Sequence, residues 1–266
     1  TVVGYVAAED LTTGCHNAIL GRSAGRCITT GCFNTMVGST AGNNNTTGIG
    51  NTYTGYAAGL ANVNSAGNTG IGMQALYNNT GEGNTALGLC AMLNNVGGDY
   101  NTALGYKALM CQDGGSANNN VAVGRCAMFN NETSCNNVAV GAFSQFAASC
   151  AGINTTVGNG TAECLTTGCS NNAFGYYAAR HLTTGSENVA IGDYAGNQLG
   201  NACRNVMIGF CAGKATCNGG DFNVFIGRSA GQTNTTGCYN VGIGYLTLID
   251  NTTGVQNIAI GSSALG

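Results

Sequence analysis

The phrase Asn188-Val-Ala-Ile-Gly192 decides the fold, because copies of it recur at a nearly fixed spacing along the whole chain. Each copy is an Asn, a mostly apolar triplet and a closing Gly, which we number position 0. Sixteen closing glycines occur, and twelve of the fifteen intervals between them have the same length as the interval from Gly175 to Gly192. The other three intervals differ from it by only one or two residues. So strict a period is typical of a solenoid, in which each coil stacks only on its neighbours.

The residues around the closing Gly predict the local structure of a coil. Position −4 is Asn in every repeat that contains it, and positions −3 and −1 are mainly Val, Ile, Leu or Thr, as at Val189 and Ile191. This alternation predicts a strand whose −3 and −1 side chains share one face, so that apolar ladders fill a thin core. Ala is usual at +3, which predicts a second short strand from about +1 to +5. A polar turn follows, often Thr-Thr-Gly.

The recurring Asn predicts a side-chain amide ladder along the stack, as in cross-β assemblies. The asparagines predicted to align in this ladder are Asn17, Asn34, Asn84, Asn101, Asn120, Asn137, Asn188, Asn205, Asn223, Asn240 and Asn257. The three irregular intervals are expected at the polar turns, near Thr80-Gly81, Asp113-Gly114-Gly115 and Asn218-Gly219-Gly220.

The sequence therefore predicts an all-β, parallel β-solenoid of sixteen seventeen-residue coils, each with two short strands. Residues 1–266 are expected to form one repeat domain, and its mid-repeat ends suggest a processed part or fragment of a longer fibre. A hexapeptide left-handed helix is the competing solenoid. It requires an aliphatic residue every six positions, whereas the aliphatic-Gly pair occurs once per coil here.

Composition narrows the expected partners. Only 7% of the residues are charged and the net charge is −3, so the chain offers no basic surface for nucleic acid or an anionic membrane. No apolar run reaches the roughly 18 or more residues of a membrane span. Pro is absent, which suits a continuous parallel ladder because Pro would remove one of its hydrogen bonds.

Several phrases resemble those of known fibre proteins. Asn188–Gly192 and Asn257–Gly261, each followed by Ala at +3, resemble the head repeat of trimeric autotransporter adhesins. Asn84–Gly88, Asn101–Gly105 and the turn Asn234–Gly237 resemble repeats of phage tail-fibre-like proteins. The resemblance covers nearly the whole chain and implies a left-handed β-roll, three chains side by side and turns facing water. The longer repeat period, the many cysteines and the lack of a coiled-coil stalk depart from the adhesin pattern.

Fourteen cysteines in a chain with so little charge indicate an oxidising, extracellular setting. Cysteines at +6 and +11 bracket the same polar turn, and those near the turns of successive coils are expected to join one coil to the next. The predicted disulfides are Cys27–Cys32, Cys164–Cys169, Cys135–Cys150 and Cys203–Cys217. The cysteines expected to be unpaired or interchain, all at +2, are Cys90, Cys126 and Cys211.

No pattern of catalytic or cofactor-binding residues is expected. Cys15 and His16 are adjacent, so their side chains would point to opposite faces of a strand. His181 lies in a turn far from His16 in the stack, and no CxxC pair suggests zinc. Gly219-Gly220-Asp221 faintly resembles a calcium-binding turn, but a calcium roll would carry Asp in most coils. No metal, cofactor or catalytic residue is therefore predicted.

These features predict a structural, non-enzymatic extracellular protein that associates with itself, as a homotrimer, an end-to-end filament or both. The alternative is an adhesin or phage receptor-binding fibre whose variable turns recognise a host surface glycan or protein. In that case the residues at +1, which include Tyr5, Tyr176 and Phe210, would make the contacts. Cell surface, secreted filament and virion all remain open as locations.

Overall fold

The structure is a computed structural model that describes residues 1–112, 115 and 117–266. The chain divides into two compact units, Thr1–Cys135 and Asn136–Gly266. Each unit is a stack of coils whose strands pair in parallel, and the described residues contain no helix. The predicted all-β parallel β-solenoid is confirmed, and equivalent positions of successive coils are paired as the repeat period requires.

One strand per coil forms the continuous sheet of each unit. In the first unit these strands are β1 (Val2–Val3), β2 (Ala18–Leu20), β3 (Thr35–Val37), β4 (Thr52–Thr54), β5 (Thr69–Ile71), β7 (Thr85–Leu87), β9 (Thr102–Leu104) and β11 (Val121–Val123). In the second unit they are β12 (Val138–Val140), β13 (Thr155–Val157), β14 (Asn172–Phe174), β15 (Val189–Ile191), β16 (Val206–Ile208), β17 (Val224–Ile226), β18 (Val241–Ile243) and β19 (Ile258–Ile260). Three further strands, β6 (Asn78–Asn79), β8 (Asn94–Asn95) and β10 (Cys111–Gln112), form a small second sheet in the first unit.

The strands stay in register across the irregular intervals. Thr69 pairs with Thr85 across the interval that is one residue short, and Val206 pairs with Val224 across an interval that is one residue long. The extra residue of the second case lies in the turn, where Asn218 and Gly219 are exposed. Length changes are therefore absorbed at the surface, as expected. Asp113 and Gly114, predicted to form a similar bulge, lie outside the described residues.

The strand faces are reversed from the prediction. The middle residue at −2 is buried, while the residues at −3 and −1 are exposed or half-buried. Tyr53 and Phe225 show that −2 points inward even when it is large, since both are fully buried. Ala is the commonest residue at −2, and Ile19, Met36 and Met207 are also buried there. The apolar residues at −3 and −1 therefore form an outer face and not the core.

The predicted second strand at +1 to +5 is also wrong, because this segment is a turn in every coil. Its residues at +2 and +4 have left-handed backbone angles, as at Tyr177 (φ 53°) and Ala179 (φ 50°). Its N–H groups still bond to the neighbouring coil: the Ala179 N–H donates to the Ala195 carbonyl over 2.9 Å. Within the described residues, a second strand in a coil occurs only at β6, β8 and β10, which lie at +6 and +7.

Close stacking explains the residues that vary least between coils. Except in the two end coils, the Ala side chains at +3 are completely buried in the coil interior, as at Ala178 and Ala195. The closing Gly192 has φ +123°, and a Cβ there would lie 2.7 Å from the carbonyl carbon of Gly209 in the next coil. Only Gly fits this contact, because two backbones meet and neither can move aside.

Candidate functional site

A column of buried Asn side chains at −4 connects successive coils. The Asn188 side-chain Oδ1 accepts hydrogen bonds from the backbone N–H of Asn205 (3.0 Å) and from its Nδ2 (3.1 Å). The Asn188 Nδ2 donates to the carbonyl of Ala202 over 2.8 Å, which ties the strand to the polar turn of the next coil. Each amide therefore satisfies groups of two different segments of its neighbour, which alanine or an ionised carboxylate could not do.

The same arrangement recurs within both units. Backbone N–H groups donate to the preceding Asn Oδ1 at 2.8–3.0 Å throughout. In the first unit the column is Asn17, Asn34, Asn51, Asn68, Asn84, Asn101 and Asn120. In the second unit it is Asn137, Asn154, Asn171, Asn188, Asn205, Asn223, Asn240 and Asn257.

A second buried amide column lies at +7 in the first unit, and sequence reasoning missed it. Its members are Asn45, Asn62, Asn79, Asn95, Gln112 and Asn131. In the second unit the same position carries Leu165, Leu182 and Leu199, and then Thr216, Asn234 and Asn251 in later coils. The interior at +7 is therefore apolar in the first coils of the second unit and polar again in its last coils. The recurrence of an amide at +7, once per coil, was the available signal, but Asn beside Thr and Gly was interpreted as a surface turn.

Six of the eight cysteines predicted to form disulfides are thiols in the structure, and their pairing on oxidation stays a prediction. They are Cys27, Cys32, Cys164, Cys169, Cys203 and Cys217, and no bond joins the predicted partners. Cys32 Sγ lies 2.8 Å from Cys15 Sγ of the preceding coil. Cys135 and Cys150 belong to different units, and their pairing stays a prediction.

Side chains at +11 act as hydrogen-bond acceptors between coils. The Cys203 sulfur accepts from the backbone N–H of Ser186 (3.4 Å), and the Ser186 hydroxyl accepts from that of Cys169 (3.0 Å). Cys203 also donates to the carbonyl of Asn201, two residues before it, over 3.3 Å. In these coils a small polar side chain at +11 bonds to the neighbouring coil, which gives cysteine a role there without a disulfide.

A cysteine and a histidine meet across two coils at +6. Cys164 Sγ lies 3.8 Å from His181 Nδ1, although 17 residues separate them. Desolvation raises the pKa of the Cys164 thiol, the neighbouring Glu163 raises it further, and Arg180 opposes both. A nucleophilic cysteine needs a lowered pKa, so this pair lacks the electrostatics of an activated thiol. Sequence adjacency had drawn attention to Cys15-His16, where His16 instead stacks on Phe33 at 5.0 Å.

Among the described residues, three ion pairs join successive coils, each between a Glu and the Arg at the equivalent position of the next coil. They are Glu9–Arg26 (2.7 Å), Glu163–Arg180 (2.7 Å) and Glu187–Arg204 (3.0 Å). The side chains are largely exposed, so the pairs add little to stability. Their identical spacing instead favours the correct stacking register over a shift of one coil.

An exposed row of aromatic rings lies on the second unit. We define the aromatic row as Tyr176, Tyr177, Tyr194 and Phe210. Ring centroids are 4.1 Å apart for Tyr176 and Tyr177, and 6.4 Å apart for Tyr194 and Phe210. The Tyr177 hydroxyl, hydrogen-bonded to that of Tyr176, raises the pKa of Tyr176 to about 12, with desolvation adding to the shift.

Cations border the aromatic row. Arg180 lies over Tyr177 at 4.4 Å, Lys214 over Tyr194 at 5.4 Å and Arg228 over Phe210 at 5.6 Å. Lys214 also lines an open groove of about 470 Å³ with Gln198, Gln232, Thr233 and Thr235. Rings, cations and amide groups thus adjoin on one surface of the second unit.

Metal ligands and membrane-spanning helices are not found among the described residues. No three His, Cys, Asp or Glu side chains of that part of the chain converge. No helix of sufficient length and apolarity to cross a membrane occurs there either. No protein-family model matches the chain, and no curated protein matches it significantly.

Proposed function

We propose that this chain is a structural, non-enzymatic component of an extracellular fibre or filament, in which copies associate side by side as a homotrimer. The observation that carries the proposal is the outer face of the sheet in the second unit. From β12 to β19, position −1 is Val, Phe or Ile in every strand, and Asn172 is the only strongly polar residue at −3. We call this surface the outer ladder.

The outer ladder has the chemistry of a contact between identical chains. Contiguous apolar surface on this scale is typical of protein–protein interfaces. It carries no charge, so charge complementarity to a different partner is not available, whereas a second copy offers the same apolar columns at the same spacing of about 4.8 Å. Fourteen cysteines support the extracellular location, because disulfide-permissive compartments favour such content.

Charging the outer ladder is expected to dissociate the assembly. The double variant Ile191→Lys and Ile243→Lys places two cations on side chains that are 39% and 37% exposed in the single chain. Burying them between chains would cost several kcal/mol, because neither would have a counter-ion. Light scattering coupled to size-exclusion chromatography should show three chains of 26.6 kDa for the wild type and one for the variant.

The matched control is Val255→Lys, since Val255 is an exposed aliphatic side chain (56%) in a polar turn away from the outer ladder. This variant should keep the wild-type mass. A monomeric wild type at tens of micromolar, or a double variant that remains trimeric, would remove the proposal. Electron microscopy of the wild type separates discrete trimers from long filaments.

A second candidate function, recognition of a host surface glycan, is supported by the aromatic row. Exposed tyrosine and phenylalanine rings can stack on the apolar faces of sugars, and the amide and hydroxyl groups of the neighbouring groove can bond to sugar hydroxyls. The bordering Lys214 and Arg228 favour sugars that carry a carboxylate.

We expect immobilised acidic glycans to bind the wild type and to lose at least tenfold affinity for Phe210→Ala and Tyr176→Ala. Both side chains are about half exposed, so their removal should leave the fold intact. Tyr5→Ala is the control, because Tyr5 is an exposed +1 tyrosine of the first unit, outside the aromatic row. Equal binding by all three variants would argue against this function.

A further inference from the structure

Cys15 and Cys32 bring two thiols of successive coils into contact. They occupy position +11 of successive coils, and their sulfur atoms are 2.8 Å apart. Backbone contacts hold the two segments together: the Cys15 N–H donates to the Cys32 sulfur (3.1 Å), and the Phe33 N–H donates to the Cys15 carbonyl (3.0 Å). Cys15 is exposed and Cys32 is half-buried, so small reagents can reach the pair.

The sulfur separation distinguishes three uses of two adjacent thiols. Even nonbonded carbon atoms, which are smaller, prefer a separation of about 3.5–4.0 Å, so this contact is closer than two independent thiols would adopt. Two thiolates bound to one tetrahedral zinc at about 2.3 Å would stand about 3.8 Å apart. At 2.8 Å the two sulfurs are in direct contact and stand closer than two ligands of one zinc ion would.

The stacking supplies the remaining geometry of a disulfide. Neighbouring coils lie about 4.8 Å apart, which falls within the Cα separation of roughly 4.4–6.8 Å found for disulfides. Cys27 and Cys32, by contrast, stand at +6 and +11 of one coil, which places the polar turn between them.

We propose that Cys15 and Cys32 are a covalent staple, which oxidation closes into a disulfide between two successive coils. The oxidant is a small-molecule disulfide such as oxidised glutathione. One protein sulfur attacks it as a thiolate, forms a mixed disulfide and releases one small thiol. The second protein sulfur then attacks the mixed disulfide, forms the Cys15–Cys32 bond and releases the second small thiol. Two protons and two electrons leave the protein, and the oxidant is reduced to two thiols.

The hydrogen bond between the sulfurs affects the pH at which the staple forms. It raises the pKa of the Cys15 thiol, and desolvation adds to this effect. Because the thiolate is the attacking species, closure should speed up as pH rises through the alkaline range.

The test is peptide mapping of the purified protein after exposure to oxidised glutathione at pH 8.5, with free thiols blocked before digestion. Trypsin and chymotrypsin release Cys27–Phe33, a peptide that contains both Cys27 and Cys32. We expect this peptide to be linked to the one that contains Cys15, and the link should persist in Cys27→Ser. Cys15→Ser and Cys32→Ser should both abolish it while keeping the circular dichroism spectrum of the wild type.

Two results would overturn the staple. One is an internal disulfide within the Cys27–Phe33 peptide, which would show that Cys32 pairs with Cys27 across the polar turn and not with Cys15. The other is full alkylation of Cys15 under conditions in which other thiols of the protein have been oxidised. Both readouts are independent of the oligomeric state, so the staple and the proposed fibre function can fail separately.

Discussion

Gly192→Ala is expected to destabilise the protein by roughly 2–6 kcal/mol. Backbone strain at φ +123° accounts for about 1–3 kcal/mol, because L-residues rarely adopt this conformation. The remainder, about 1–3 kcal/mol, comes from overpacking, since the new Cβ would lie 2.7 Å from the Gly209 carbonyl carbon and oxygen. Both atoms belong to the backbone of the next coil, so no side-chain rotation relieves the contact. Urea unfolding followed by circular dichroism measures the loss.

The variant Gly261→Ala separates the free-energy cost of backbone strain from the cost of the contact between coils. Gly261 occupies the same position 0, with φ +119°, but a Cβ there meets no atom within 4 Å. The variant should lose only the stability that backbone strain costs, about 1–3 kcal/mol or less, because an outer coil can relax. Equal losses for the two variants would show that coil-to-coil contact is not what selects Gly at this position.

The period and the backbone chemistry of the coil were predictable from sequence. Asn at −4 and Gly at 0 are selected by contacts between equivalent positions of neighbouring coils, so the same residue must recur at each coil. Asn188 illustrates this, because its amide bonds only to Asn171, Asn205 and the Ala202 carbonyl. A contact between identical positions leaves a strictly periodic signal.

The direction of the side chains was not predictable in the same way. Alternation indicates that −3 and −1 share a face, but it does not say which face is inside. Large residues at −3 and −1 suggested the core, whereas the interior is lined by positions −2 and +3, at which Ala is the commonest residue. Phe225 and Tyr53, the largest residues at −2, indicated the true direction.

The candidate sites were harder to predict, because their residues belong to different coils and meet only when the coils stack. Cys15 and Cys32, like Cys164 and His181, are 17 residues apart and occupy identical phases. Pairing rules based on turns within one coil joined Cys27 with Cys32, because they are close in sequence.

Asn188→Asp is expected to cost about 4 kcal/mol at pH 7, because it places an unpaired carboxylate in the interior. Asn188 is 1% exposed, and the carboxylate would face the Ala202 carbonyl, to which the amide now donates. Asp has the same size as Asn and keeps its acceptor oxygen. The loss in the free energy of unfolding therefore measures the effect of the missing N–H donor and of the added charge. Thermal and urea unfolding across pH 3–8 measures it.

The pH dependence has a definite sign. Burial without a cation raises the pKa of the new carboxyl in the folded state above its unfolded value of about 3.9. Below that value the group is protonated in both states and can donate to the Ala202 carbonyl, so the variant should approach wild-type stability. As the pH rises toward the folded pKa the stability falls, and above that pKa the loss stays constant.

Asn257→Asp provides the control for this effect. Asn257 belongs to the same column and donates to Asn240 Oδ1 over 3.0 Å, but it is only half-buried. Water can solvate a carboxylate there, so its loss should be smaller and its pH dependence weak. If both Asp variants lost the same free energy with the same pH profile, the buried amide column would not be what makes Asn obligatory at −4. A large, pH-dependent loss confined to position 188 would show that each coil depends on an uncharged side chain able to donate and accept at once.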